Sequence, residues 1–175
     1  MKFTQTVFCM GVALALLGVG CASPIKPQII MPAAKPQAKA YPGSVEVVVD
    51  GSIKSPNITV IDIPTFQTAI CETIQRDKIF IGGVVTSNGD YQLRVTFLSV
   101  EWPGAGAGMT TSFTSRWKLS HTADGNLVWD DIIRGSHTTP FGEAFAGMTR
   151  AMRSIEGAAR TTIADGLKGV QERAP

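Results

Sequence analysis

From Phe141 to Val170 the apolar residues Phe141, Phe145, Met148, Met152, Ile155, Ala159, Ile163, Leu167 and Val170 recur every three or four positions. Charged side chains, among them Glu143, Arg150, Arg153, Arg160, Asp165 and Lys168, fall mainly off that stripe. A run of about eight turns with one apolar face must bury that face elsewhere, which predicts a long amphipathic helix laid on a sheet. A second stripe of small residues, Gly147, Ala151, Ser154 and Ala158, would let another element approach closely. Gly157, Gly166 and Gly169 each cost up to about 1 kcal/mol relative to alanine inside a helix, so the C-terminal end is expected to fray or bend.

The strands for such a helix to lie on are legible upstream. Val45, Val47 and Val49 share one face of an extended run that ends at the turn signal Asp50-Gly51. A second extended run spans Ile58 to Ile63, and Pro64 suits the first turn of a helix. In that helix Phe66, Ala69, Ile70, Thr73 and Ile74 form an apolar stripe, which stops near the basic residues Arg76 and Lys78. Ile79 to Thr86 reads as a strand leading into Asn88-Gly89, a hairpin signal. Tyr91, Leu93, Val95 and Phe97 alternate with polar residues, and the shift to Leu98, Val100 and Trp102 predicts a bulge. Met109 to His121 and Leu127 to Arg134 form two further strands, joined at Asp124-Gly125. These elements predict an α+β domain over residues 44–175. Its mainly antiparallel sheet of four to five strands is covered on one face by two helices.

The N-terminus reads as an address. Lys2 precedes an apolar stretch from Val7 to Val19, shorter than the roughly 20 residues of a spanning helix. Gly18, Val19, Gly20 and Cys21 follow, an order that resembles the lipobox of bacterial lipoprotein signals, although Gly18 stands where leucine is usual. The resemblance implies cleavage of residues 1–20 and acylation of Cys21 on its sulfur and its new amino group. It also implies outer-membrane sorting, because Ala22 and Ser23 follow without aspartate. An uncleaved anchor and an ordinary signal with an incidental cysteine are the alternatives. Residues 21–43 contain five prolines between Pro24 and Pro42 and read as a tether, spanning about 60 Å if fully extended. A spacer with a task and a plain lead-in remain equal readings of it.

Without Lys2, basic and acidic side chains nearly balance, which leaves no electrostatic footprint for nucleic acid. Cys71 is then the remaining cysteine outside the signal and the lipidation position, so no internal disulfide is expected, and it reads as a small buried apolar residue. His121 and His137 lack ligands at metal-binding spacing, so neither a metal nor another cofactor is expected. Asp130 and Asp131 are adjacent on a strand and point to opposite faces. Pro103 to Gly108, PGAGAG, has neither the phosphate-loop pattern nor a following helix, so it reads as a hairpin tip. Trp102 and Met109 flank it. With Gly104, Gly106 and Gly108 they make the candidate partner-binding residues, because aromatic and thioether side chains beside a loop are common at contact surfaces. The bland reading is that both pack at the ends of their strands.

Gly89 to Val95, opening a meander strand, and Asp124 to Trp129, a turn running into a strand, belong to a strand–helix–meander–helix order across residues 44–172. With the lipobox and tether, that order resembles a loose group of envelope lipoproteins. The group includes the lipopolysaccharide-assembly lipoprotein, auxiliary lipoproteins of lipid-transport ABC systems and activators of penicillin-binding proteins. It implies a non-catalytic accessory that binds or scaffolds envelope proteins. A different class of function would be a lipid or small apolar ligand held between sheet and helix, in a cavity lined by Trp117, Phe141, Phe145 and Met148. A hydrolase using His121 or His137 is a third.

Overall fold

The computed structural model describes residues 25–35, 39–53, 61–102, 106, 108–144 and 146–175. Its elements run α1 (Pro27–Ile30), β1 (Val45–Gly51), α2 (Ile63–Asp77), β2 (Val84–Val85), β3 (Tyr91–Glu101), β4 (Met109–His121), β5 (Leu127–Thr139), a 3-10 turn (Phe141–Glu143) and α3 (Gly147–Gln171). The fold is α+β. One five-stranded sheet has the order β2-β1-β3-β4-β5, with β3, β4 and β5 antiparallel and β1 parallel to both of its neighbours. The expected strand around Ile58 falls mostly outside the described residues, and Ile63 already belongs to α2.

Alternation decides which face is buried. Val45, Val47 and Val49 of β1, Tyr91, Leu93, Val95 and Phe97 of β3, and Phe113, Trp117 and Leu119 of β4 all point into one core under the helices. The anticipated bulge in β3 lies at Leu98. Phe97 pairs with Ser115 and Ser99 with Thr114, so Leu98 is the extra residue and is exposed. The helix α2 begins where the Asp62 carboxylate accepts from the Thr65 amide at 2.8 Å, and ends where Lys78 turns left-handed. Hydrogen bonding from the Thr65 hydroxyl, and then from its amide, holds the Asp62 carboxyl below the usual range.

Four expectations are corrected. The Asn88-Gly89 pair makes no hairpin, because β2 and β3 lie on opposite sides of β1. Asn88 takes a positive φ, but Gly89 does not, so the two-residue turn that would return the chain is not formed. Gly89 instead lets the chain cross the start of β1: a Cβ there would stand 2.6 Å from the Glu46 nitrogen. Asp90 then accepts from the Ser44 amide at 2.8 Å.

The C-terminal glycines of α3 do not fray it. A Cβ at Gly166 would lie 2.5 Å from the ring of Trp117, while Gly169 faces Trp129 and Gly157 faces His137. The small residues are the seat of the sheet, and the helix runs on to Gln171. The apolar stripe also starts later than Phe141, since α3 begins at Gly147.

The folded unit starts before Ser44. Ile25 is 4% exposed, and Ile30 of α1 and Tyr41 are buried outright. A four-residue helix has no stability of its own. Full burial of an isoleucine such as Ile30 contributes about 1.5–3 kcal/mol, which places that turn in the core. The Arg160 guanidinium donates to the Ile29 carbonyl at 2.6 Å and Arg76 to the Pro32 carbonyl at 2.9 Å. Farther on, Tyr41 bridges to Phe80, stacks on its ring at 4.8 Å and donates to the Val170 carbonyl at 3.1 Å.

Two predictions follow from this packing. Gly166→Ala should lower stability by about 1–2 kcal/mol, because overpacking against Trp117 outweighs the helix-propensity gain of about 1 kcal/mol. Thermal unfolding measures it, and an unchanged or raised midpoint would remove the close-approach argument. Burial pushes the Tyr41 hydroxyl up to about 12, with Tyr91 adding to the shift and Arg173 opposing it. A raised folded-state value means stability is intact below the unfolded value near 10 and falls as pH rises towards about 12. Tyr41→Phe should flatten that alkaline decline in urea midpoints; equal slopes for both proteins would contradict it.

Candidate protein-contact site

At one end of the sheet β3 stops, β4 starts, β5 stops and α3 begins, so four chain ends converge. Trp102 is half-buried there and meets Phe113 edge-on at 6.3 Å, while Met109 is half-buried with its Cε near Gly147. Both pack at the ends of their strands. Gly106 and Gly108 are exposed. Gly104 lies outside the described residues, as do Cys21 and Phe145.

The sequence did not single out the residue that organises this end. Arg150, in the first turn of α3, is 6% exposed. Its Nη1 donates to the Ala144 carbonyl at 2.9 Å, its Nη2 reaches the Gly106 carbonyl at 3.5 Å, and its guanidinium lies 4.7 Å over the Phe141 ring. Arg153 donates to the Glu143 carbonyl at 2.7 Å. Two arginines one turn apart therefore pin the 140–146 connection to the helix, and Arg150 ties in the glycine tip. Delocalised, planar charge suits Arg150 to this burial, since it can serve several carbonyls and an aromatic face together. Phe141 and Met148 remain 52% and 54% exposed beside it. The available signal was Pro140 with Gly142 and Gly147, which interrupt the helical period.

The proposed ligand cavity between sheet and helix is not formed by its expected lining. Trp117 is fully buried against Gly166 with its Nε1 donating to Ser115 Oγ at 2.9 Å, whereas Phe141 and Met148 face solvent. The two histidines do not meet. His121 sits against Tyr91, ring centroids 4.4 Å apart, and His137 pairs with Thr111. Thr111 and His121 stand at opposite ends of β4, which separates the two by about 33 Å of strand. Asp130 pairs with Arg116 at 2.6 Å, and Asp131 accepts from the Ile132 amide. Cys71 is half-buried, and desolvation raises its thiol pKa, so little thiolate forms near neutral pH. Among the described residues, no group of three or more His, Cys, Asp or Glu could hold a metal ion.

The sheet face opposite the helices is polar and internally paired. Arg94 meets Asp50 at 2.6 Å and Arg134 meets Glu101 at 2.8 Å, in addition to Arg116–Asp130. Thr110 and Thr138 share a hydrogen bond, as do Ser112 and Ser136.

No family model and no curated protein matches the chain. Solved structures do. Protein XCC0632 of Xanthomonas campestris, from the family DUF330, superposes with a TM-score of 0.58 at 12% identity, over 82% of this chain and 95% of that one. The protein CT253 of Chlamydia trachomatis gives 0.53 at 9% identity, over 75% and 95%. PelC of Paraburkholderia phytofirmans, solved as a dodecamer, gives 0.51 at 13%, over 79% and 93%. At these identities the likeness establishes a shared fold. None of the three is described as a lipopolysaccharide-assembly, ABC-transport or penicillin-binding-protein-activating lipoprotein.

Arg150→Met should loosen the connection it pins. Amide exchange should rise at least about tenfold over residues 141–149, equivalent to about 1.4 kcal/mol of local stability, while Ile155 to Val170 stay protected. Unchanged exchange at 141–149 would show that Arg150 is not what holds this end together.

Proposed function

We propose that this chain is a lipid-anchored accessory protein of the bacterial cell envelope, held by lipid on Cys21. In this reading it faces the periplasm from the outer membrane and binds other envelope proteins through the loop end of its sheet. The observation that carries the contact site is the exposure of Phe141, on a connection fixed by buried Arg150, and of Met148 in the first turn of α3. Apolar side chains presented from a rigid support lose little entropy on binding, which favours them as anchors. The basic start, short apolar run and small residues before Cys21 support the anchor, and its sorting follows from Ala22 and Ser23.

Mass spectrometry of the mature protein tests the anchor: acyl groups on Cys21 are expected, and an unacylated mature chain would end that part of the proposal. The contact site is tested in cells with a photocrosslinking amino acid at position 141 or 148, and at Leu98 on the open face. Envelope-protein adducts should form from 141 and 148. Phe141→Asp with Met148→Asp should weaken capture at least about tenfold, as loss of anchors costing about 1.4 kcal/mol or more would. Melting should stay within a few degrees, because both residues are exposed. Adducts from Leu98 but not from 141 or 148 would move the contact to the open sheet.

A further inference from the structure

The start of the core fixes how far the domain can stand from its anchor. Ile25 is buried, and it is four residues beyond Cys21. Four residues span at most about 14 Å even when fully extended. The tether expected to reach about 60 Å is instead spent within the fold, with Ile30 and Tyr41 buried along it. Ile25 leads into α1, which crosses the helix layer on the side away from the sheet: Gln28 and Ile29 of α1 meet Glu72 of α2 and Arg160 of α3, and Pro32 just beyond accepts from Arg76 of α2. A lipid at Cys21 therefore emerges next to this surface.

The exposed groups here suit a bilayer. Ile29 presents an apolar side chain; exposed Lys26 caps the same helix, exposed Arg160 bonds the Ile29 carbonyl, and exposed Lys35 follows beside Pro32 and Ala33. The acidic side chains nearby are engaged: Glu72 accepts from Gln28, Asp77 pairs with Arg76, and Glu156 lies near Arg153 and Arg160. We infer that the α1 surface, centred on Ile29 with Lys26, Lys35 and Arg160, rests on the anionic bilayer that carries the anchor, so that the open sheet face points away from it. This rests on the proposed lipidation of Cys21. The short reach confines the domain to the interface, where basic side chains gain from anionic headgroups and an apolar one from the acyl boundary.

The test uses lipidated full-length protein in vesicles of phosphatidylglycerol and phosphatidylethanolamine, with a photocrosslinking amino acid replacing Ile29 or Leu98. Lipid adducts should come predominantly from position 29. In unsubstituted protein, Lys26→Glu with Lys35→Glu should cut phosphatidylglycerol adducts of a photoreactive lipid over 25–35 by more than about tenfold. Equal yields from 29 and 98, or a larger yield from 98, would overturn the orientation, and so would adducts indifferent to the charge reversal. Mass spectrometry of the same sample reports acylation separately. Should Cys21 carry no acyl group, mature chain coupled through Cys21 to a maleimide phospholipid, in a Cys71→Ala background, repeats the comparison. An anchor failure then leaves the geometric contrast intact, whereas a geometric failure removes the contrast in both preparations.

Discussion

The close seat of α3 on the sheet is the constraint on which the rest depends. Trp117 and Trp129 project from the sheet where Gly166 and Gly169 leave the helix bare, and Gly135 meets Thr162 along the same interface. Each helical glycine gives up about 1 kcal/mol of propensity. The gain is contact over a whole indole face, many weak dispersion terms acting together. With the helix this close, the Trp117 indole fills the space beneath Gly166. The same closeness fixes the first turn of α3, with Met148 and Arg150, at the end of the sheet, where Arg150 holds the connection that presents Phe141.

The N-terminal segment works on the other side of that helix layer. Backbone carbonyls of Ile29 and Pro32 receive arginines from α3 and α2, so one strap joins both helices from outside. Tyr41 carries the strap to the last turn of α3 and to Phe80. The molecule is thus strapped on its helix side and open on its sheet side. The open side is kept wet by cross-strand ion pairs, which add little stability when exposed but charge the surface.

Much of the fold was legible because its periods were local. Strict alternation gave β4 its observed bounds, Met109–His121, and the break at Leu98 gave the bulge. Reading failed where a residue's role depends on a distant partner. Gly157, Gly166 and Gly169 look like helix breakers until the aromatic and imidazole rings facing them are known. Asn88-Gly89 has hairpin composition, but β1 inserts between the flanking strands from sequence more than 30 residues earlier. Proline spacing marked residues 24–42 as tether, yet Ile25, Ile30 and Tyr41 each find a site in the core. In the candidate site Trp102 and Met109 were visible by type. Arg150 was not, since a charged residue off an apolar stripe reads as solvated until neighbouring carbonyls enclose it.

The two exposed surfaces differ in what a protein partner could gain. On the open sheet face Arg94–Asp50, Arg116–Asp130, Arg134–Glu101, Thr110–Thr138 and Ser112–Ser136 are already paired, so a partner must desolvate those groups and match each bond it displaces. Leu98 and Ile132 are exposed there, set among those pairs. At the loop end the balance reverses. Fully burying a phenylalanine or methionine is worth about 1.5–3 kcal/mol, and about half of that remains available at Phe141 and Met148. The Gly106, Glu143 and Ala144 carbonyls at this end are already served by Arg150 and Arg153, so covering the patch does not strand them. Apolar gain with little polar loss is what distinguishes the loop end as the proposed contact, and the arginines that create it are the ones that pin the connection to the first turns of α3.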